Sequence, residues 1–231
     1  MYRERPSSLG GGAVLWSRTA ASAPATARVL PDGCMDLIWH DGLLVAGPDT
    51  RAQLSTEQPG DAWTGLRFAP GTGPAVLGVP AHELRDRRVP LDALWPPARV
   101  RRLAEYVAGA ADRGAALETV AARTAGAGPG AADPLYRAVA AGLAAGRGVA
   151  EVARAAGLSE RQLHRRSLRA FGYGPKTLAR VLRLQRALAL ARGGLPLAAV
   201  AAGAGYADQA HLARDVRALA GVPLTTLLAP R

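Results

Sequence analysis

Val149-Ala-Glu-Val-Ala-Arg-Ala-Ala-Gly157-Leu158-Ser159-Glu-Arg-Gln162-Leu163-His164-Arg165 is the stretch on which the reading of this chain turns. Small and apolar residues at helical spacing lead up to Gly157, which suits the left-handed turn after a helix. Ser159 can cap the next helix through its hydroxyl and Gln162, three residues on, can reach back; this capping box fixes where the second helix starts. That helix is expected to run to about Phe171, with Leu163 turned inward and Arg161, Gln162, His164, Arg165 and Arg169 left outward. The same grammar returns about 48 residues later. Pro196 stands at a first helical position, Leu197-Ala-Ala-Val200 follows as a short helix, Gly205-Tyr206 makes the turn, and Asp208 caps the next helix. There Leu212, Val216 and Leu219 form the buried stripe, while Gln209, His211 and Arg214 face out.

Two similar units fit a solenoid fragment or a double DNA reader, and glycine turns with outward basic groups favour the second. Charge agrees. Residues 149–231 hold 13 basic and 4 acidic side chains, against 16 and 14 in residues 1–148. The polyanion-binding part is therefore C-terminal. No stretch has the length or apolar continuity to span a bilayer, which leaves nucleic acid ahead of a membrane surface. Between the units, Gly174-Pro175 opens a central helix that ends before Gly193-Gly194. Its roughly 18 residues span about 27 Å, near the spacing of about 34 Å between successive major-groove faces on one side of DNA. Arg161, Arg165 and Arg214 can pair bidentately with guanine edges and Gln209 with adenine, with Gln162, His164 and His211 beside them. Ser159, Arg169, Lys176 and Arg180 are placed as backbone contacts that set register.

Asp133–Leu228 resembles the DNA-binding domain of AraC-type transcription regulators. The family's signature falls on Gly205-Tyr206-Ala-Asp208-Gln-Ala-His-Leu212-Ala-Arg214-Asp-Val216-Arg217, followed by Gly221. The chain departs from the family pattern in having Ser167 and Val216 where phenylalanine is usual, and Gly221-Val-Pro223-Leu at the end. The first two thin the packing behind each recognition helix. The resemblance implies duplex DNA as partner, a small-molecule effector, contact with RNA polymerase and a homodimer, with no cofactor.

From Gly11 to about Pro90 glycine and proline break the chain into short β-type runs. Expected strands are Ala13–Ser17, Thr26–Leu30, Met35–His40, Leu43–Ala46, Ala62–Phe68 and Ala75–Val79, with Asp41-Gly42 as a hairpin signal. On a strand, Cys34, Asp36, Ile38 and His40 share one face and Met35, Leu37 and Trp39 the other. Alternate residues about 6.6 Å apart on a flat strand cannot gather round a zinc ion, so no metal site is assigned. Trp39, Trp63, Arg67 and Phe68 are the candidate lining of a ligand cavity. Pro31-Asp-Gly-Cys34, Gly65-Leu-Arg67-Phe68-x-Pro70-Gly71 and Leu77-Gly78-Val79-Pro80 are similar to pieces of an N-terminal domain found ahead of AraC-type readers, and imply placement in a regulator without naming an effector.

Pro96-Pro97 opens a helix over Ala98–Ala110, and a second follows from about Arg113 to Ala125. Leu103, Tyr106, Val107 and Ala110 make one apolar stripe. It can pack on its own domain or on a second chain, since AraC-type regulators often dimerise through helices between sensor and reader. Gly126–Gly130 reads as linker, and Asp133-Pro134 as a helix start.

The expected architecture is α+β: a small antiparallel β-barrel or sandwich at residues 1–95, a helix pair at 96–125, a linker at 126–132, and an all-α domain at 133–231 with two helix-turn-helix units joined by a long helix. A single cysteine and the absence of a secretory signal point to the cytoplasm. The rival reading is an enzyme with Cys34 as nucleophile and a DNA-targeting module, but no partner base or phosphate loop is set by any motif.

Overall fold

The computed structural model describes residues 1–125 and 133–229; the expected linker at 126–132 lies outside the described residues. Strands β1 (Tyr2–Pro6), β2 (Val14–Thr19), β3 (Ala25–Val29), β4 (Met35–Trp39), β5 (Leu43–Ala46), β6 (Gln53–Glu57), β7 (Ala62–Phe68) and β8 (Arg88–Pro90) form the N-terminal part. Six make one sheet in the order β1-β2-β7-β4-β5-β8, and β3 pairs with β6 as a separate ribbon. Every pairing is antiparallel. Met35, Leu37 and Trp39 of β4 stand opposite Phe68, Leu66 and Thr64 of β7, so strand alternation puts these six side chains on one face. That face, with Leu15 of β2, is the apolar one. On the other face Arg18 of β2 pairs with Glu57 of the ribbon at 2.8 Å, which ties the ribbon to the sheet.

Helices α2 (Pro97–Ala108) and α3 (Arg113–Ala125) cover the apolar face. Val100, Val107, Leu117, Val120 and Ala121 share one core with Leu15, Leu37, Trp39 and Leu66. The stripe is thus used within the chain: Leu103 and Ala110 pack on the same core, and Tyr106 stays 44% exposed under the Arg123 guanidinium. One expected strand is a helix. Ala75–Val79 falls in α1 (Gly73–Leu77), because Pro74 starts a turn and Gly78, in a left-handed conformation, ends it by donating to Pro74 O. Strands β1, β6 and β8 were not expected, since their charged or polar sequences lack the apolar alternation that marks a strand.

The C-terminal part consists of α4 (Pro134–Ala144), α5 (Val149–Ala155), α6 (Glu160–Phe171), α7 (Pro175–Arg192), α8 (Leu197–Ala204), α9 (Gln209–Ala220) and α10 (Leu224–Leu228). Asp133 caps α4 by accepting from Leu135 N, as its position before Pro134 predicts. The long α7 belongs to two cores. Its Leu178 and Val181 pack with Val139, Val152, Leu163 and Phe171, whereas Leu184, Ala187 and Leu188 pack with Val200, Leu212, Val216 and Leu219. Each helix-turn-helix unit is therefore built on its own half of one rigid rod.

The two parts touch where both units end. Ala52 N donates to Leu219 O at 2.7 Å, and Arg28 donates to Ala220 O at 2.7 Å, satisfying carbonyls that the last turn of α9 leaves unpaired. Gln185 of α7 donates to Pro31 O at 2.6 Å. Gly172 after α6, at φ 83°, lies so close to Pro48 and Ala81 that a Cβ there would collide with the Pro48 ring.

Candidate nucleic-acid interface

In the first unit Gly157 takes φ 66° at the turn, a conformation that suits glycine. Ser159 and Gln162 make the expected capping box: Ser159 Oγ accepts from Gln162 N at 3.2 Å and Gln162 Oε1 accepts from Ser159 N at 2.9 Å. Helix α6 then buries Leu163, Ser167, Ala170 and Phe171. Arg161, Gln162, His164, Arg165, Arg166 and Arg169 are exposed on the opposite side. In the second unit Gly205, at φ 85°, ends α8 and Asp208 Oδ1 accepts from His211 N at 2.6 Å. Helix α9 buries Leu212, Val216 and Leu219, and exposes Gln209, Arg214 and Arg217.

Several of the expected contact residues have work inside the fold. Gln162 holds the capping box with its carbonyl oxygen. The His164 ring packs over Gly174 where α7 begins, beside exposed Lys176. His211, half-buried, meets Tyr206 edge to face at 5.1 Å and its Nδ1 accepts from Ala207 N. Arg180 and Arg183 of α7 both reach Asp215, which is 7% exposed on α9, and Arg183 also lies 4.5 Å over the Tyr206 ring. Burial, with Asp215 nearby, pushes the Tyr206 hydroxyl up to about 12. This cluster fixes the second recognition helix to the central rod. Sequence reasoning missed Arg183 and Asp215; the signal available was a lone acid on the inward stripe of a basic helix, which must find a partner when buried.

The four residues expected to line a ligand cavity do not converge. Register places Trp39 and Phe68 on the apolar face under α3, and Trp63 and Arg67 on the opposite face. Trp63 stacks on His40 at 4.6 Å, and Arg67 lies 3.2 Å from Asp36 and 3.3 Å from Asp32. Burial pushes the Asp36 carboxyl up, against Arg67 and a hydrogen bond from Trp16 Nε1. Desolvation and then Asp32 push the Cys34 thiol well above its ordinary value, the reverse of an activated nucleophile.

Two exposed basic helices, each buried on one side and capped at its start, project from one rod. Residues 152–229 match the family described as a helix-turn-helix domain. The C-terminal part of the chain is an AraC-type helix-turn-helix domain. Residues 13–90 match a domain of unknown function, DUF6597. A probable AraC family transcriptional regulator from Rhodopseudomonas palustris is 27% identical, covering 42% of this chain and 95% of its own, with a TM-score of 0.36. ToxT from Vibrio cholerae is 8% identical over 98% of this chain and 97% of its own, with a TM-score of 0.51. ToxT bound to (E)-4-(8-methylnaphthalen-1-yl)but-3-enoic acid is 10% identical over 98% of both chains, with a TM-score of 0.50. The chain thus shares the two-part fold of ToxT. No curated protein matches it by sequence. Among the described residues no helix is long and apolar enough to cross a membrane.

Proposed function

We propose that the chain is a transcription regulator that reads two adjacent major-groove segments, one with α6 and one with α9. The observation that carries this is the shared rod: α7 gives its first half to one unit's core and its second half to the other's. Its eighteen residues make a rod about 27 Å long, with one unit on each half. That suits two groove faces about one helical turn apart. Arg161, Arg165 and Arg214 supply bidentate donors for guanine and Gln209 a match for adenine; Gln162, His164 and His211 position their neighbours and border the same bases. Ser159, Arg169 and Lys176 lie along the phosphates, and Arg180 joins them while its Nε holds Asp215.

The N-terminal domain is the effector-responsive part. Support comes from its docking on the end of α9 through Arg28 and Ala52, on the end of α6 through Pro48 and on α7 through Pro31. A ligand that shifts this domain changes the seating of α6 and α9 together. A homodimer that contacts RNA polymerase would carry the response to a promoter. Titration of a random-sequence duplex pool with the whole chain tests the first step. Affinity is expected to fall by about 10³ or more between about 50 and about 200 mM salt, as several neutralised phosphates require. Salt-independent binding, or none, refutes the reading.

A further inference from the structure

The polar face of the sheet is occupied by ion pairs: Arg67 with Asp36 and Asp32, Arg18 with Glu57, and Arg88 with Asp49. The apolar face is different. Helix α3 covers it over β4, β7 and part of β2. Beyond the start of α3 the outer end of the face is left open as a cleft of about 850 Å³ between β1, β2 and the α2–α3 turn. Arg3 and Arg5 stand opposite Ser17 and Leu15 in register, and so rise on this same face. Arg113 closes the far side, its guanidinium 5.9 Å over the Trp39 ring. Arg5 lies 3.8 Å from both Asp112 and Glu118, too far for a close hydrogen bond. Among the described residues neither Arg3 nor Arg113 has an acid within ion-pair distance. The helix terminus itself is not the receptor, because Asp112 already accepts from Ala115 N at 3.0 Å.

We propose that this cleft binds a small organic acid, its oxyanion held by Arg3, Arg5 and Arg113 and its apolar body lying on Leu15 and against Ala110. Three guanidinium groups on the two sides of the cleft outnumber the carboxylates of Glu4 and Asp112 that also line it, and the net positive potential attracts an anion. Planar guanidinium forks match a carboxylate or phosphate edge. The apolar floor contributes only when the ligand carries carbon surface, so a bare oxyanion is the poorer fit. The site deepens the reading of the N-terminal domain as the effector-responsive part and rests on it. Through Leu15 it also touches the core that α3 shares with the sheet.

The test uses the whole ¹⁵N-labelled chain and three probes: cyclohexanecarboxylate, its neutral twin cyclohexanecarboxamide, and inorganic phosphate. The carboxylate is expected to shift the amides of Ser17, Thr64 and Gly114 saturably, and the carboxamide to leave them in place. Arg3→Gln with Arg113→Gln is expected to weaken carboxylate binding about tenfold or more, since each removes a charge-assisted hydrogen bond. The same spectra show whether that variant is folded, and Arg3→Lys supplies a second variant that keeps the charge. Shifts that fail to saturate, equal response to the carboxamide, equal affinity for phosphate, or a folded double variant with unchanged affinity would each overturn the proposal. DNA binding is measured on the same sample without probe, so failure at the cleft and failure as a DNA reader are told apart.

Discussion

Ser167 is fully buried on α6, at a place where the resemblance leads one to expect phenylalanine, and its Oγ has no hydrogen-bond partner among the described residues. A buried hydroxyl left unpaired costs about 1–3 kcal/mol. Ser167→Ala should therefore hold or raise stability by about 1 kcal/mol, read as the urea midpoint; a clear loss would mean that the hydroxyl has a partner. Asp215 is the opposite case. Buried against two arginines, it should cost about 1–3 kcal/mol when changed to asparagine, because Arg180 and Arg183 lose their countercharge. An unchanged midpoint would show that the pair is decorative. The caps at Ser159, Asp208 and Asp133 were legible because capping is a local matter of one side chain and one amide two or three residues on. The Arg183–Asp215 tie was not, since its partners lie 32 residues apart on different helices.

At the scale of elements, the helices of the C-terminal part matched their sequence signals because glycine and proline punctuate them: α7 runs from Pro175 to Arg192, between Gly174 and Gly193. The sheet was harder. Ala75–Val79 looks apolar in either conformation, and a run of that length carries no decisive period. β1 is charged and shows no apolar alternation, yet its register with β2 gives it a place at the sheet edge. The candidate cavity failed for a related reason: composition gathered Trp39, Trp63, Arg67 and Phe68, but only register tells which face each takes. The loop after β1 is joined to α3 through Glu118, which accepts from Ser7 Oγ and Ser8 N at 2.6 Å each. Burial raises that carboxyl, but these bonds and Arg5 outweigh it and hold the group below its ordinary value of 4.5. A lowered folded value means that the added stability is present above that ordinary value and drains away as pH falls through the folded one. The advantage of the native chain over Glu118→Gln should accordingly be full at about pH 7 and shrink below about pH 4.5. Unfolding of both proteins in urea across that range checks the sign, and a gap that grows in acid would contradict it.

The whole molecule is two parts joined at the far ends of the recognition helices. The N-terminal domain meets α9 through Arg28 and Ala52, α7 through Pro31, and the end of α6 through Pro48, so it contacts both units of the reader. Division of the chain into a near-neutral part and a basic part was visible in the charge count, but this docking was not, because backbone carbonyls as acceptors leave no mark in a sequence. The central claim is that both helices read bases from one rod. Selection of bound sites from random duplex DNA with the native chain, Arg165→Ala and Arg214→Ala tests it most directly. The native chain should yield two short elements about one helical turn apart. Each variant should lose about 1–3 kcal/mol on that site and relax the preference within one element only. If Arg214→Ala leaves every preference unchanged, α9 is a backbone clamp and the claim of two reading helices is wrong.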